Sequence, residues 1–210
     1  DAAAIADRQR HRLAALLAAA RQTPRYQALL HGRDLQHLPL TALPPTGKHE
    51  LMSPFEAGVA DPALTLDAVR NFCSDPALIG QRLLDRYWVW HSSGSTGQQG
   101  FFVQDALAMA VYDALEATRR HSARPWLRLW DPLFLSERFA FVGATSGHFA
   151  SIVSLQRLRR ANPLLQHWQA FSILQPLPAL VQALDDFGPT LLASYPTAAT
   201  MLAEEAAAGR

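Results

Sequence analysis

Six small residues, Ser92-Ser93-Gly94-Ser95-Thr96-Gly97, stand between Tyr87-Trp-Val-Trp-His91 and Phe101-Phe102-Val103. The flanks have the aromatic and β-branched composition of strands, so the loop is expected at the tip of a hairpin-like turn. Glycines at 94 and 97 admit positive φ and present no Cβ to an approaching ligand. Successive backbone N–H groups in such a turn converge on an anion, and the four hydroxyls add donors. A polyphosphate cradle and an ordinary surface hairpin both fit these residue types. A flexible Gly/Ser linker does not fit the aromatic flanks.

The chain has 210 residues, 49% of them hydrophobic and 18% charged, which allows one sizeable core or a core with a small lobe. A formal net charge of +1 gives no broad attraction for nucleic acid or an anionic membrane. No apolar run approaches the roughly 20 residues that span a bilayer. The first residues lack a signal peptide's basic start and apolar run. The single cysteine, Cys73, excludes an internal disulfide and a cysteine-based zinc site. The eight histidines are scattered, with no His-x-x-x-His pair, so no metal site is expected. The expected setting is the cytoplasm.

In chain order, Ile5, Leu13, Leu16, Leu17 and Ala20 recur at helical spacing and predict an amphipathic, core-packed helix. Thr23-Pro24 reads as an N-cap followed by proline in the first turn, opening a short helix closed by Gly32. Gly47-Lys48 is no Walker loop, because Ala42 and His49 stand where glycine and Ser/Thr are required. Thr46 serves as an N-cap instead. Pro62 and Pro76 are expected to open two helical segments, the second through Leu78, Ile79, Leu83 and Leu84. Asp105 caps a helix to Arg120 with Leu107, Val111 and Leu115 on one stripe, and Arg119-Arg120-His121 at its negative end.

Strands are expected at Arg138–Ala144, Phe171–Leu174 and Thr190–Ser194, with helices over Pro178–Phe187 and from Thr197. This alternation predicts an α/β fold: an N-terminal helical lobe (1–84), then a mixed or parallel sheet with flanking helices (85–210), the two forming one continuous domain. Ligands of such sheets sit at the carboxyl ends of strands. His91–Gly97, Gly143–Phe149 and Ser194–Thr197 all follow strands and are expected on one rim. His148 reads either as a pocket-lining imidazole or as a histidine satisfied by backbone. Tyr195 reads either as a site residue or as a core tyrosine.

Ser-Ser-Gly-Ser-Thr-Gly between strands, followed by a helix, resembles the phosphate loop of the adenylate-forming enzymes, most closely the phenylacetate–CoA ligase-like branch. Gly143-Ala-Thr-Ser-Gly-His-Phe-Ala150 resembles that branch's Gly-Gly-His-type loop. Phe187-Gly-Pro-Thr-Leu-Leu-Ala-Ser-Tyr-Pro-Thr197 is similar to its Pro-x-x-Leu-x-x-Tyr-Pro-Ser segment. Gln99 and Gly100 stand where the superfamily often has Pro-Lys, so the loop lacks a cation of its own.

The resemblance implies part of the large N-terminal domain of such an enzyme. ATP would be bound through its phosphates at Ser92, Ser93, Gly94, Ser95, Thr96 and Gly97, with Mg²⁺. Gly147, His148, Phe149, Tyr195 and Pro196 would line the acyl-substrate pocket. A carboxylic acid, aromatic in this branch, would become an acyl-adenylate and pass to CoA or to the phosphopantetheine of an acyl carrier protein. The superfamily's magnesium-binding glutamate, ribose-binding aspartate and adenylation lysine have no counterpart here. The chain is therefore expected to be an N-terminal fragment, inactive alone, with unassigned catalytic residues. A non-catalytic nucleotide-binding or interaction module of the same fold is the alternative. A serine hydrolase is disfavoured, since Gly94-Ser-Thr-Gly97 has the wrong spacing for a nucleophile elbow and leads into a strand.

Overall fold

A computed structural model describes residues 1–94, 97–123, 130–131 and 136–209, with backbone only at 120–123, 164 and 166. The chain is mixed α/β and divides into two compact units: Asp1–Arg70 with Gly94–Gly100, and Asn71–Ser93 with Phe101–Arg210.

The first unit is helical. Helix α1 (Ala2–Ala20) is capped by Asp1, whose carboxylate accepts from Ala4 N–H. Of the expected apolar stripe only Leu17 is buried, with Ala14 beside it; Ile5 and Leu16 are exposed, contrary to a continuous core-packed face. Thr23 does precede helix α2 (Pro24–Leu29), but its hydroxyl donates back to Ala20 C=O instead of capping forward. Helix α3 (Lys48–Met52) is capped at Gly47, not Thr46, because Glu50 reaches back to accept from Gly47 N–H at 2.9 Å. Arg25 ties this unit together, donating to Leu51 C=O and Pro54 C=O. Pro62 opens no helix. Helix α4 (Leu66–Ser74) starts later, with the Thr65 hydroxyl accepting from Ala68 N–H.

The second unit begins with the end of α4, and a 3-10 turn follows, Pro76–Leu78, capped by the Asp75 carboxylate. The helix expected through Leu84 is absent, since Leu84 and Asp85 both take positive φ and Leu83 instead bridges to Tyr87. Strands β1 (Trp88–His91) and β2 (Phe101–Gln104) form the expected antiparallel hairpin, pairing His91 with Phe101 and Trp88 with Gln104. Helix α5 (Ala106–Ala123) follows, with Asp105 accepting from Ala108 N–H. It buries Met109 and leaves Leu107, Val111 and Leu115 exposed, so the apolar stripe read from sequence faces outward. Because α5 runs on to Ala123, Arg120 and His121 fall in its last turn, with Arg119 just before it.

A three-stranded parallel sheet has the order β4-β3-β5, from β3 (Phe139–Gly143), β4 (Trp168–Ser172) and β5 (Leu191–Ser194). Strand β4 begins three residues before its expected start, Trp168 pairing with Phe139. Alternation along β3 sends Phe139 and Phe141 to one face, Ala140 and Val142 to the other. Phe141 packs with Ile152, Val153 and Leu155 of helix α6 (Ala150–Ala161), and with Trp168. Ala140 and Val142 pack with Leu180, Leu184 and Phe187 of α7 (Leu177–Phe187) and with Ala198 of α8 (Pro196–Ala207). Gly188, with φ +60, ends α7 as a left-handed cap. Among the described residues no helix is long and apolar enough to cross a membrane.

Candidate functional site

Two strand-end loops are joined by backbone. His91, the last residue of β1, donates its N–H to His148 C=O at 2.8 Å. Its ring meets Phe149 edge-on with centroids 4.8 Å apart and lies 6.1 Å from Phe101. Gly147 makes this approach possible: a Cβ there would come 3.2 Å from His91 Nε2. His91 Nδ1 is 3.0 Å from Ser92 C=O, and a carbonyl only accepts, so Nδ1 carries a hydrogen. Nε2 has no hydrogen-bond partner among the described residues.

The third strand end lies against β3. Ser194 Oγ donates to Val142 C=O at 3.1 Å, and Tyr195 Oη accepts a long contact from Ala144 N–H at 3.5 Å. Tyr195 packs edge-on to Phe141 and is more than a third exposed, so it is not a core tyrosine. Pro196 occupies the first turn of α8.

His148 itself is enclosed, 1% exposed, with Nε2 3.0 Å from Asp75 C=O and the ring edge-on to Phe72. Backbone meets one ring nitrogen, Nε2, and the enclosed ring does not open into a pocket. Its Nδ1 is buried without a hydrogen-bond partner among the described residues.

Of the loop, Ser92 and Ser93 follow directly on β1, while Ser95 and Thr96 lie outside the described residues. Gly94 and Gly97 take φ +73 and +92, and Gly97 N–H donates to Gly94 C=O at 2.9 Å, closing a turn. The positive φ at both places accounts for glycine there.

A cavity of about 380 Å³ lies on the α6 side of the sheet. Trp90, Tyr112, Phe139, Phe141 and Trp168 give it aromatic walls, with Ala150, Ser151, Ser154 and Ala193 as small lining residues. None of Gly147, His148, Phe149, Tyr195 or Pro196 lines it, though Ala150 directly follows Phe149 and Ala193 directly precedes Ser194. Sequence reading missed this cavity because helix α6 went unread. The spacing of Ile152, Val153, Leu155 and Leu158 was the available signal. Polar groups at its margin are Glu116 and the pair formed by Arg157 and Asp113.

No acidic residue occurs in 91–94, 143–149 or 194–196, and among the described residues no three His, Cys, Asp or Glu side chains gather as a metal site. These residues offer neutral donors, one imidazole nitrogen without a hydrogen-bond partner among the described residues, and an aromatic cavity. Compared with protein-family models, curated proteins and solved structures, the chain matches none of them.

Proposed function

We propose that this chain takes part in ATP-dependent activation of an aromatic carboxylic acid. In the reaction, a carboxylate oxygen of the acid bonds to the α-phosphorus of ATP. The bond from that phosphorus to the β-phosphate bridging oxygen breaks, and pyrophosphate leaves. The Ser92–Gly97 loop holds the β- and γ-phosphates through N–H and O–H donors. Mg²⁺ would supply charge neutralisation for the leaving pyrophosphate; 91–94, 143–149 and 194–196 contain no carboxylate that would hold it. A thiol, of CoA or of a carrier protein's phosphopantetheine, then attacks the acyl carbon and displaces AMP.

The observation carrying this reading is the His91–His148 backbone join, which brings the end of β1, from which Ser92 and Ser93 follow, to the loop after β3 in the same unit as the aromatic cavity. The cavity volume falls within the range of small-molecule sites. Its flat aromatic walls suit a ring by stacking and edge contacts. Ala150 and Ala193, each next in sequence to a rim residue, give the ring a place from which its carboxylate reaches the strand ends. Holding both reactants there would lower the barrier by orientation.

The test has two parts. Calorimetry on the folded chain should detect saturable binding of ATP, weakened about tenfold or more by Gly94→Val, a loss of at least about 1.4 kcal/mol. Acid-dependent exchange of labelled pyrophosphate into ATP should then be measured with the natural protein. A folded chain that binds neither ATP nor an aromatic acid overturns the proposal.

A further inference from the structure

We infer that the aromatic cavity selects an acid whose ring carries a positively charged amino group, with the Glu116 carboxylate as the partner of that charge. The inference rests on the reading of the cavity as the seat of the acid's ring, and it names the class of acid.

The charged side chains lining the cavity are Asp113, Glu116 and Arg157. Arg157 and Asp113 neutralise each other through two hydrogen bonds. The Glu116 side chain makes no ion pair or hydrogen bond among the described residues, although Arg119 follows one turn later on α5. The lining is therefore left with one uncompensated negative charge. Glu116 follows Tyr112 by four residues and Asp113 by three, so all three share one face of α5.

The walls act in the same direction. An aromatic ring has a negative face, which attracts an ammonium and repels an anion. Trp90 and Tyr112 meet at 82° with centroids 6.0 Å apart, forming a corner of the lining, and Glu116 stands one turn beyond Tyr112. Ser151 and Ser154 of α6 add hydroxyl oxygens that accept from N–H. Low-dielectric walls around charge of one sign concentrate its field on a ligand.

A plain hydrocarbon ring uses the walls and leaves Glu116 with nothing to hold. An anionic substituent meets a like charge and negative ring faces. An ammonium suits the carboxylate, the rings and the hydroxyls together. The acid's own carboxylate belongs at the strand ends, where 91–94, 143–149 and 194–196 contain no acidic residue to oppose it.

The experiment is calorimetric titration of the folded chain at pH ~7.5, where an alkylammonium is charged. The probes are para- and meta-aminomethylbenzoate, each paired with the ethylbenzoate of the same shape. Wild type is compared with Glu116→Gln, Glu116→Asp and the filled variant Ala193→Leu, and melting curves establish that each is folded. Glu116 is exposed, so its substitution leaves the core intact.

Wild type should bind the better aminomethyl isomer about tenfold more tightly than its ethyl counterpart. Glu116→Gln should cut that ratio to about threefold or less, and Glu116→Asp should keep more of it. Raising the ionic strength from about 0.05 to 0.5 M should shrink the wild-type ratio. Ala193→Leu should weaken both members of the pair about tenfold.

Ethyl isomers that bind as tightly as the aminomethyl ones overturn the inference and leave the cavity as the site of a plain aromatic acid. A preference that persists in folded Glu116→Gln overturns the role of Glu116, again with the cavity standing. Affinities that Ala193→Leu leaves unchanged put the probes elsewhere and overturn the inference and the cavity reading alike. Absence of binding by all four probes also overturns both.

Discussion

Arg157 of α6 and Asp113 of α5 form a two-pronged ion pair, with Arg157 Nη1 3.0 Å from Asp113 Oδ2 and Nη2 bonded to Oδ1. The guanidinium also lies over the Trp88 ring, 5.5 Å from its centroid. Its side chain is 10% exposed and that of Asp113 41%, so the cation is the member that depends on the pair. Arg157 Nε is already buried without a hydrogen-bond partner among the described residues. Removing the carboxylate leaves a buried charge uncompensated, whereas replacing both members by apolar groups does not. Water reaching the exposed Asp113 side softens the loss.

Asp113→Asn should therefore destabilise the chain by about 1–3 kcal/mol, and lower its melting temperature by roughly 2–12 °C. The double variant Asp113→Leu with Arg157→Met should recover most of that. Equal melting of Asp113→Asn and wild type would mean that the pair is solvated and contributes nothing.

The close approach of Gly80 to α6 gives a second expectation. Its φ is +79, and a Cβ there would lie 2.7 Å from Gln156 Cβ and 2.9 Å from Arg157 N. Backbone cannot rotate away as a side-chain tip can. Gly209 has φ +76 with nothing within 4 Å of its Cβ position, so it controls for the conformational strain alone. Gly80→Ala should cost about 1–3 kcal/mol more than Gly209→Ala in denaturant unfolding. Equal effects would show that the segment holding Gly80 moves freely off the helix.

The hairpin and the parallel sheet were readable because their signals are local. Trp88-Val89-Trp90 and Phe101-Phe102-Val103 suit strands wherever they sit, and Gly188 stops α7 by its own left-handed geometry. Helix α6 was missed because nothing in its first turn announces it: Phe149 occupies the N-cap and makes no side-chain cap bond. Leu78–Leu84 has helical spacing, yet Leu84 and Asp85 turn left-handed, and only tertiary context decides that. The α5 stripe failed for the opposite reason. Its period is right, but which side of a helix is covered depends on its neighbours, and here Met109 turns inward. His91 was visible as the polar end of an aromatic strand, while its tautomer and its neighbour Gly147 needed coordinates.

Cys73 supports an expectation about pH. Burial pushes its thiol up to about 12, so the folded chain holds that proton more tightly than the unfolded chain does. Its contribution to stability is present below the unfolded value, about 8.5, and is lost as pH rises from there towards 12. The thiolate is the reactive form. Alkylation of the native chain at pH ~8.5 should be slower than that of the unfolded chain by about two orders of magnitude or more. Similar rates in the two states would place the thiol in contact with solvent.

The cavity can be tested separately from the phosphate loop. Ala193 and Ser154 are small lining residues, and a larger apolar side chain at either occupies space that an acid's ring would need. Filling an apolar void costs little stability, and can add some, when the new side chain finds room. Ala193→Leu and Ser154→Leu should therefore melt near wild type. If the ring of an aromatic acid sits there, both variants should weaken acid binding about tenfold or more, with ATP binding unchanged. Trp90→Ala, which enlarges the space, should shift preference towards bulkier acids at some cost in stability, about 3–5 kcal/mol for a fully buried tryptophan and less for this half-buried one. Losing ATP and acid binding together in a well-folded Ala193→Leu would point to a general distortion. Unchanged acid binding in both filled variants would place the acyl group elsewhere, and the aromatic substrate would lose its physical basis.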